Sequence, residues 1–313
     1  MSNVVLQLPK NLLQKLKSHY QSQIHQTPVN TIFQAKANGA SITAYSSGKV
    51  LFQGKNAAIE ADKWKTLALH SNQSQSAKVS VNQHDYQPPK DFFSQSHIGT
   101  DEAGTGDYFG PITVGAVYVT DDQIEPLKQL GITDSKTLTD DRITELAKTL
   151  VREQIPYTLL TLDNKKYNQL QKKGWSQGKM KAMLHHHAIH KLAKKLGEVK
   201  PKGILVDQFC QPSVYQKHIQ SEGEGLPENT FFMTKAESYS TAVAAASIIA
   251  RAKFVKEMDR LSKSVGVTIP KGASNKVDET AAYIIRKFGL NKMNQVAKTH
   301  FANTEKAKKL VKK

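Results

Sequence analysis

The run Ile98-Gly-Thr-Asp-Glu-Ala-Gly-Thr-Gly-Asp-Tyr-Phe-Gly-Pro111 sets two adjacent carboxylates, Asp101 and Glu102, between a short apolar run and a glycine-rich turn. Adjacent carboxylates repel. Both stay ionised only beside positive charge, and a divalent cation bound through oxygen supplies it. The glycines leave backbone amides free to approach a ligand closely. Two further acids sit in comparable places. Asp207 ends the apolar run Gly203-Ile-Leu-Val-Asp207, the form of a buried strand that delivers a carboxylate at its tip, and Glu237 opens a helix directly after a strand-like Thr230 to Thr234. Such carboxylates converge only if their strands are neighbours in one sheet, and convergence is electrostatically costly without cations. Two Mg²⁺ ions roughly 3.5 to 4 Å apart would stabilise the cluster and equip it for phosphodiester hydrolysis. A solvated surface acid is the ordinary explanation for any one of these residues, so the weight lies on the set.

The elements that must position these acids alternate strand and helix from about His97 onward. The pattern predicts strands ending at Asp101, over Ile112 to Val119, Tyr157 to Leu162, Gly203 to Asp207 and Thr230 to Thr234. Helices are expected from Thr137 to Gln154, Ser176 to Leu196 and Ser240 to Ser262, the last with an Ala-rich start that suits tight packing on the sheet, and two or three short basic helices finish the chain. Residues 73–95 are rich in Ser, Gln and Asn, carry Pro88-Pro89 and one short possible strand near Val79 and Val81, and read as a linker. Residues 1–72 read as a smaller α/β unit. A helix from Pro9 to Ile24 precedes three strand-like runs joined by Asn38-Gly39 and Ser47-Gly48 hairpin signals, and a helix from Asn56 to His70 closes it. Strand parity puts Phe33, Ala35, Ala37, Ile42, Ala44, Val50 and Phe52 on one face, toward the helices. The other face presents Gln34, Lys36, Thr43, Tyr45, Lys49, Gln53 and Lys55, a polar and basic open sheet able to lie along a nucleic-acid groove; an ordinary solvated face is the alternative.

Composition agrees with a polyanionic partner. The 313 residues carry a net charge of +17 and a pI near 9.7, and 39% are hydrophobic, enough to bury a core. Residues 1–90 hold ten Lys, no Arg and three acids, a net of +7. Lysines meet phosphates as point charges, whereas bidentate reading of guanine favours Arg, so this segment suits binding that ignores sequence. No apolar run reaches the roughly 18 residues of a spanning helix, and no signal-peptide pattern opens the chain, so a cytoplasmic protein without membrane contact is expected. Cys210 is the lone cysteine, which leaves no internal disulfide or multi-cysteine zinc site. A dinucleotide-binding turn fits poorly, because the third glycine is displaced to Gly110 and two acids would face a pyrophosphate. In the run His185-His186-His187 with His190, His186 and His190 have helical i, i+4 spacing, but no Glu completes a His-Glu-x-x-His pattern, and a solvated or DNA-facing histidine face is expected.

Asp101-Glu-Ala-Gly-Thr-Gly106 with Tyr108-Phe-Gly-Pro111, Asp134-Ser-Lys136, Val206-Asp207, and Lys235-Ala-Glu-Ser followed by Ala244-Ala-Ala-Ser-Ile-Ile-Ala-Arg251 together resemble the type 2 ribonucleases H. The match spans residues 97–300 in order. Within that group the chain is more similar to ribonuclease HIII than to ribonuclease HII. The turn is Gly-Thr-Gly where ribonuclease HII typically has Gly-Arg-Gly, the fourth acid is Glu237 where ribonuclease HII has Asp, and a basic N-terminal extension is present. In ribonuclease HIII that extension resembles the TATA-box-binding-protein fold, in agreement with the parity of the strands.

The resemblance implies an α/β protein: a ribonuclease H-like catalytic domain (residues 96–313) with a mixed central sheet flanked by helices, preceded by a small TATA-box-binding-protein-like α+β domain. It implies a monomeric endonuclease that cuts the RNA strand of RNA/DNA hybrids with Mg²⁺ or Mn²⁺, leaving 5′-phosphate and 3′-hydroxyl ends. Asp101, Glu102 and Asp207 match the metal-binding acids and Glu237 the fourth. Backbone amides at Gly104, Thr105 and Gly106 would read the ribose 2′-hydroxyl, which distinguishes RNA from DNA. Asp134, Ser135 and Lys136 would support the substrate, with Lys136 near a phosphate, and Lys36, Tyr45, Lys49 and Lys55 would hold the hybrid on the N-terminal sheet. A ribonuclease HII-like enzyme that incises at single ribonucleotides and a non-catalytic hybrid-binding protein are the alternatives.

Overall fold

The computed structural model describes residues 2–8, 10–26, 31–45, 47–71, 85–133 and 138–312. The chain divides into two compact units, Met1–Gln83 and His84–Lys313.

The first unit contains β1 (Ser2–Gln7), α1 (Lys10–His19), β2 (Ile24–Gln26), β3 (Thr31–Ala37), β4 (Ala40–Tyr45), β5 (Lys49–Gly54) and α2 (Ala57–Ser71), with an antiparallel sheet in the order β1-β5-β4-β3-β2. The β3–β4 hairpin turns at Asn38 and Gly39, both at positive φ, as the Asn-Gly pair predicts. All seven residues assigned to the inner face by parity are buried, against Leu12, Leu13, Leu16 and Trp64 of the helices. Beneath them Glu60 accepts from Tyr20 at 2.6 Å, Asn38 at 2.7 Å and Lys63 at 2.7 Å, which ties α2 to the end of α1 and to the hairpin. The structure differs from expectation at the sheet edges. The first helix stops at His19, and Ile24 begins β2 instead of ending a helix, while β1 adds a strand beside β5. The outer face is also less uniformly polar than parity alone suggests. Val5 of β1 lies opposite Leu51, which lies opposite Thr43, so a partly apolar row crosses the middle of the face; Lys36 is exposed on one side of the row and Lys49 on the other.

The second unit contains β6 (His97–Ala103), β7 (Ile112–Val119), α3 (Asp121–Gln129), α4 (Asp140–Arg152), β8 (Tyr157–Leu162), α5 (Asn164–Lys172), α6 (Gln177–Leu196), β9 (Ile204–Asp207), α7 (Pro212–Gln220), β10 (Thr230–Met233), α8 (Thr241–Val265), α9 (Asn275–Phe288), α10 (Met293–Val296) and α11 (Ala302–Lys312). Its sheet is mixed, in the order β10-β9-β6-β7-β8, with β6 antiparallel to β7 and parallel to β9. Every residue of β7 is buried because both faces are covered. Ile112, Val114 and Ala116 face α6, whereas Val117 and Val119 face α4 and α8. The Ala-rich start of α8 packs as expected: a Cβ on Gly99 would lie 2.2 Å from the Val243 nitrogen, and one on Gly115 2.6 Å from the Ala246 oxygen. Helix and sheet backbones therefore touch at β6, the strand that carries Asp101, and at β7 beside it.

Residues 85–95, expected to be part of a linker, pack onto this unit. The Phe232 N–H donates to Tyr86 O at 2.9 Å, Gln216 donates to the Tyr86 hydroxyl at 2.6 Å, and Phe92 is buried against His97 and Phe231. The aromatic residues Tyr86, Phe92 and Phe93 override the polar, proline-containing composition around them. The short strand expected near Val79 lies outside the described residues.

Candidate active site

β6 and β9 run in parallel with Thr100 opposite Val206, so the next residues, Asp101 and Asp207, stand on adjacent strands about 5 Å apart at the backbone. Asp207 ends its strand, and its Oδ1 accepts the N–H of Ala236 at 2.9 Å. Ala236 opens a short 3-10 turn, Ala236–Ser238, that follows Lys235 in the left-handed region at φ 57°. That hydrogen bond seats the backbone of buried Glu237 beside Asp207. The three strand ends that the sequence singled out, on β6, β9 and β10, are neighbours in the sheet.

The two adjacent acids have different surroundings. Asp101 is buried, and burial, then the charges of Asp207 and Glu102, push its carboxyl well above the usual range; a hydrogen bond from Ser247 of α8 and the backbone N–H of Glu102 oppose that rise. Burial also acts to raise Glu102, but here it is overcome. His185 Nε2 lies 2.9 Å from Glu102 Oε2 and Lys181 Nζ 2.7 Å from Oε1, and these two cation-capable groups bring the carboxyl below its ordinary value. His185 Nδ1 in turn meets the Thr100 hydroxyl at 2.9 Å, and the Lys181 ammonium lies 3.9 Å from the Phe209 ring centroid. Thr105 donates weakly to Glu102 Oε1 at 3.4 Å, and Gln177 donates to Thr105 O at 3.2 Å.

Of the turn residues, Gly104 has φ +86°, and a Cβ there would lie 2.3 Å from Pro111 O, so glycine is demanded twice over. Gly106 is exposed with nothing within 4 Å of a Cβ position, which leaves its backbone open to a ligand. Asp134, Ser135 and Lys136 lie outside the described residues. Arg251 donates to Leu138 O at 2.9 Å and so fixes the chain just beyond them to α8. Lys36, Tyr45, Lys49 and Lys55 belong to the first unit, with the three lysines exposed and Tyr45 half-buried.

The donor set fits a divalent ion. Among the described residues no three His, Cys, Asp or Glu side chains are arranged as a ready cage, because Glu102 is turned to Lys181 and His185. Asp101 and Asp207 remain as two mutually repelling oxygen donors at the end of the sheet. Mg²⁺ characteristically takes one or two carboxylates and completes its shell with water and substrate phosphate.

A family model described as "Ribonuclease HII" matches residues 98–304, and one described as "Domain of unknown function (DUF3378)" matches residues 3–77. A ribonuclease HIII of Oceanobacillus iheyensis is 55% identical over 311 residues, covering 99% of this chain and 100% of that one. The chain belongs to the ribonuclease HIII family. A ribonuclease HIII of Bacillus subtilis is 48% identical, with 100% of this chain and 99% of that one covered. Among solved structures, Bst-RNase HIII, determined in complex with Mn²⁺, gives a TM-score of 0.69 at 41% identity and 99% coverage of each chain.

In this ribonuclease HIII family member the sequence pointed to the carboxylates but not to the groups that hold them. Lys181, His185 and Ser247 were missed. His185 and His186 were expected on a solvated or DNA-facing histidine face, yet both are buried and only His187 and His190 are exposed. The available signal was Lys181 and His185 at i, i+4 inside the apolar stripe of α6, where a lysine requires an acid across the interface.

Proposed function

We propose that this chain is an endonuclease that hydrolyses the RNA strand of RNA/DNA hybrids and leaves 5′-phosphate and 3′-hydroxyl ends, with divalent metal held at Asp101, Glu102, Asp207 and Glu237. The observation that carries this is the parallel register setting Asp101 beside Asp207 in a chain 55% identical to a ribonuclease HIII. Held by these acids, a divalent ion such as Mg²⁺ or Mn²⁺ would supply a lowered pKa for an attacking water and charge stabilisation for the leaving 3′ oxygen. The protein's own groups prepare that site. Ser247 orients the Asp101 carboxylate, Lys181 and His185 keep Glu102 ionised, and the Asp207–Ala236 hydrogen bond fixes the turn bearing Glu237. Gly104, Thr105 and Gly106 face the RNA strand through their backbone, and the Thr105 contact to Glu102 joins that turn to the acids. Asp134, Ser135 and Lys136 support the substrate by the family resemblance.

Residues 1–72 form the hybrid-binding domain, with Lys36, Tyr45, Lys49 and Lys55 on the sheet face that meets the duplex. The protein acts as a cytoplasmic monomer; no helix among the described residues is long and apolar enough to cross a membrane. Incubation of purified protein with Mg²⁺ and an end-labelled hybrid is expected to give cleavage of the RNA strand that EDTA stops. No EDTA-sensitive cleavage would overturn the assignment. A parallel duplex with a single ribonucleotide is expected to be cut poorly, and efficient incision there would place the activity with ribonuclease HII.

A further inference from the structure

Lys298 lies in the segment after α10 and is fully buried. Its Nζ donates to two main-chain carbonyls, Gly110 O at 2.6 Å and Asp107 O at 2.8 Å. Its backbone takes part in the same contact: the Lys298 N–H donates to Tyr108 O at 2.8 Å, the Gly110 N–H donates to Val296 O at 3.0 Å, and Phe109 bridges Ala297 in antiparallel fashion. Two asparagines of α5 complete the arrangement. Asn164 Nδ2 donates to Gly110 O at 2.8 Å, and Asn168 Nδ2 donates to Ala297 O at 2.8 Å while its Oδ1 accepts the Thr299 N–H at 3.0 Å. The Asp107 carboxylate accepts the Gly272 N–H at 2.6 Å.

The downstream half of the glycine turn, Asp107 to Gly110, is therefore gripped from several sides, while Gly106 stands open. A lysine is an expensive choice for this position. Burying an ammonium is costly, and a methionine would fill the same buried space without that cost. What methionine cannot do is present hydrogens to two carbonyls three residues apart. Burial pushes the Lys298 ammonium down to about 7, with the Asp107 charge acting against that fall.

We propose that Lys298 is a positioning residue for the turn that meets the RNA strand: by tethering the carbonyls of Asp107 and Gly110 it sets the direction in which the amides of Gly104 to Gly106 face. This rests on the role given to that turn under the proposed function. The Lys298 ammonium bonds to Asp107 O and Gly110 O and to none of the four acids, so its removal is expected to leave metal binding intact and to misplace the RNA strand.

The test uses the full-length protein and its Lys298→Met variant. Three quantities are read: the thermal shift produced by Mn²⁺, kcat and KM on a continuous hybrid, and the ratio of affinities for hybrid and all-DNA duplex in Ca²⁺. With the Mn²⁺ shift retained, kcat is expected to fall about tenfold or more, as for a misplacement on the scale of an ångström, while KM stays within about threefold. The hybrid-to-duplex ratio falls with it, because the amides no longer register on the 2′-hydroxyl. A folded Lys298→Met protein with parental kcat and parental selectivity overturns the proposal. Asn164→Ala removes one donor from the same Gly110 carbonyl and gives a second route where Lys298→Met does not fold. It is expected to lower kcat about threefold with the same loss of selectivity, and unchanged values there also overturn the proposal. Failure of the parent protein to cut any hybrid would instead count against the proposed function.

Discussion

Lys181 Nζ sits 2.7 Å from Glu102 Oε1, at side-chain exposures of 10% and 13%, so a fixed ammonium stands beside the acid that neighbours Asp101. One member of the carboxylate cluster is thus neutralised by the protein itself. The carboxyls of Asp101 and Asp207 are what a cation would meet.

Replacing Lys181 by Met should have two opposite effects. Without metal, the variant is expected to be about 3 kcal/mol less stable, since Glu102 keeps its burial and loses a partner. Its Mn²⁺ affinity should rise about tenfold, because a competing positive charge has gone from the site. Calorimetric titration checks the second effect, and denaturant unfolding in EDTA the first. A variant with weaker metal binding would mean that Lys181 positions Glu102 more than it competes for it.

Asp101→Asn is expected to abolish hybrid cleavage and to stabilise the metal-free fold by about 1 kcal/mol at neutral pH, because burial and two neighbouring charges disfavour the ionised carboxyl. Unfolding midpoints of the two proteins in EDTA provide the comparison. The loss of stability normal for a buried substitution would contradict the electrostatic account.

Lys298 makes stability depend on pH. Its folded pKa of about 7 lies below the ordinary 10.5, so from pH 7 upward the unfolded chain binds a proton that the folded chain releases. Stability should therefore rise with pH between 7 and 9, at up to about 1.4 kcal/mol per unit, and level off below 7 where both states are protonated. Lys298→Met should flatten that slope, which urea unfolding at several pH values would show.

Changing Lys36, Lys49 and Lys55 together to Ala should weaken hybrid binding most at low salt. The plot of log affinity against log salt should become shallower by about 2 to 3, one unit or slightly less for each phosphate that a lysine no longer neutralises. An unaltered slope would mean that these lysines point away from the bound duplex.

Much of this organisation could be read from the residue order, and the gaps have physical causes. β7 and β8 match their expected runs end to end, and the seven inner positions of the first sheet follow from period two; in β7 and on that inner face burial and sequence pattern coincide, while β8, at the sheet edge, is mostly half-buried. α5 was not anticipated because its buried positions are Asn164, Tyr167 and Asn168; two of the three are polar, and no apolar stripe marks them. α3 carries Pro126, which weakens a helical pattern. The site divides in the same way. Carboxylates at strand ends announce themselves along the chain, whereas Lys181, His185 and Ser247 meet them only across the folded core, at separations of 79 and 83 residues for the two Glu102 contacts.

Gly99 has no functional group, yet it shares β6 with Asp101 and lies against the backbone of α8 at Ala242 and Val243. Even a methyl group there must lift the start of α8, and that same helix carries Ser247 to the Asp101 carboxylate and Arg251 to Leu138 O. In a mutational scan scored by cleavage, Gly99→Ala would fall among the carboxylate substitutions, and a residue with no chemistry of its own would be counted as part of the catalytic apparatus.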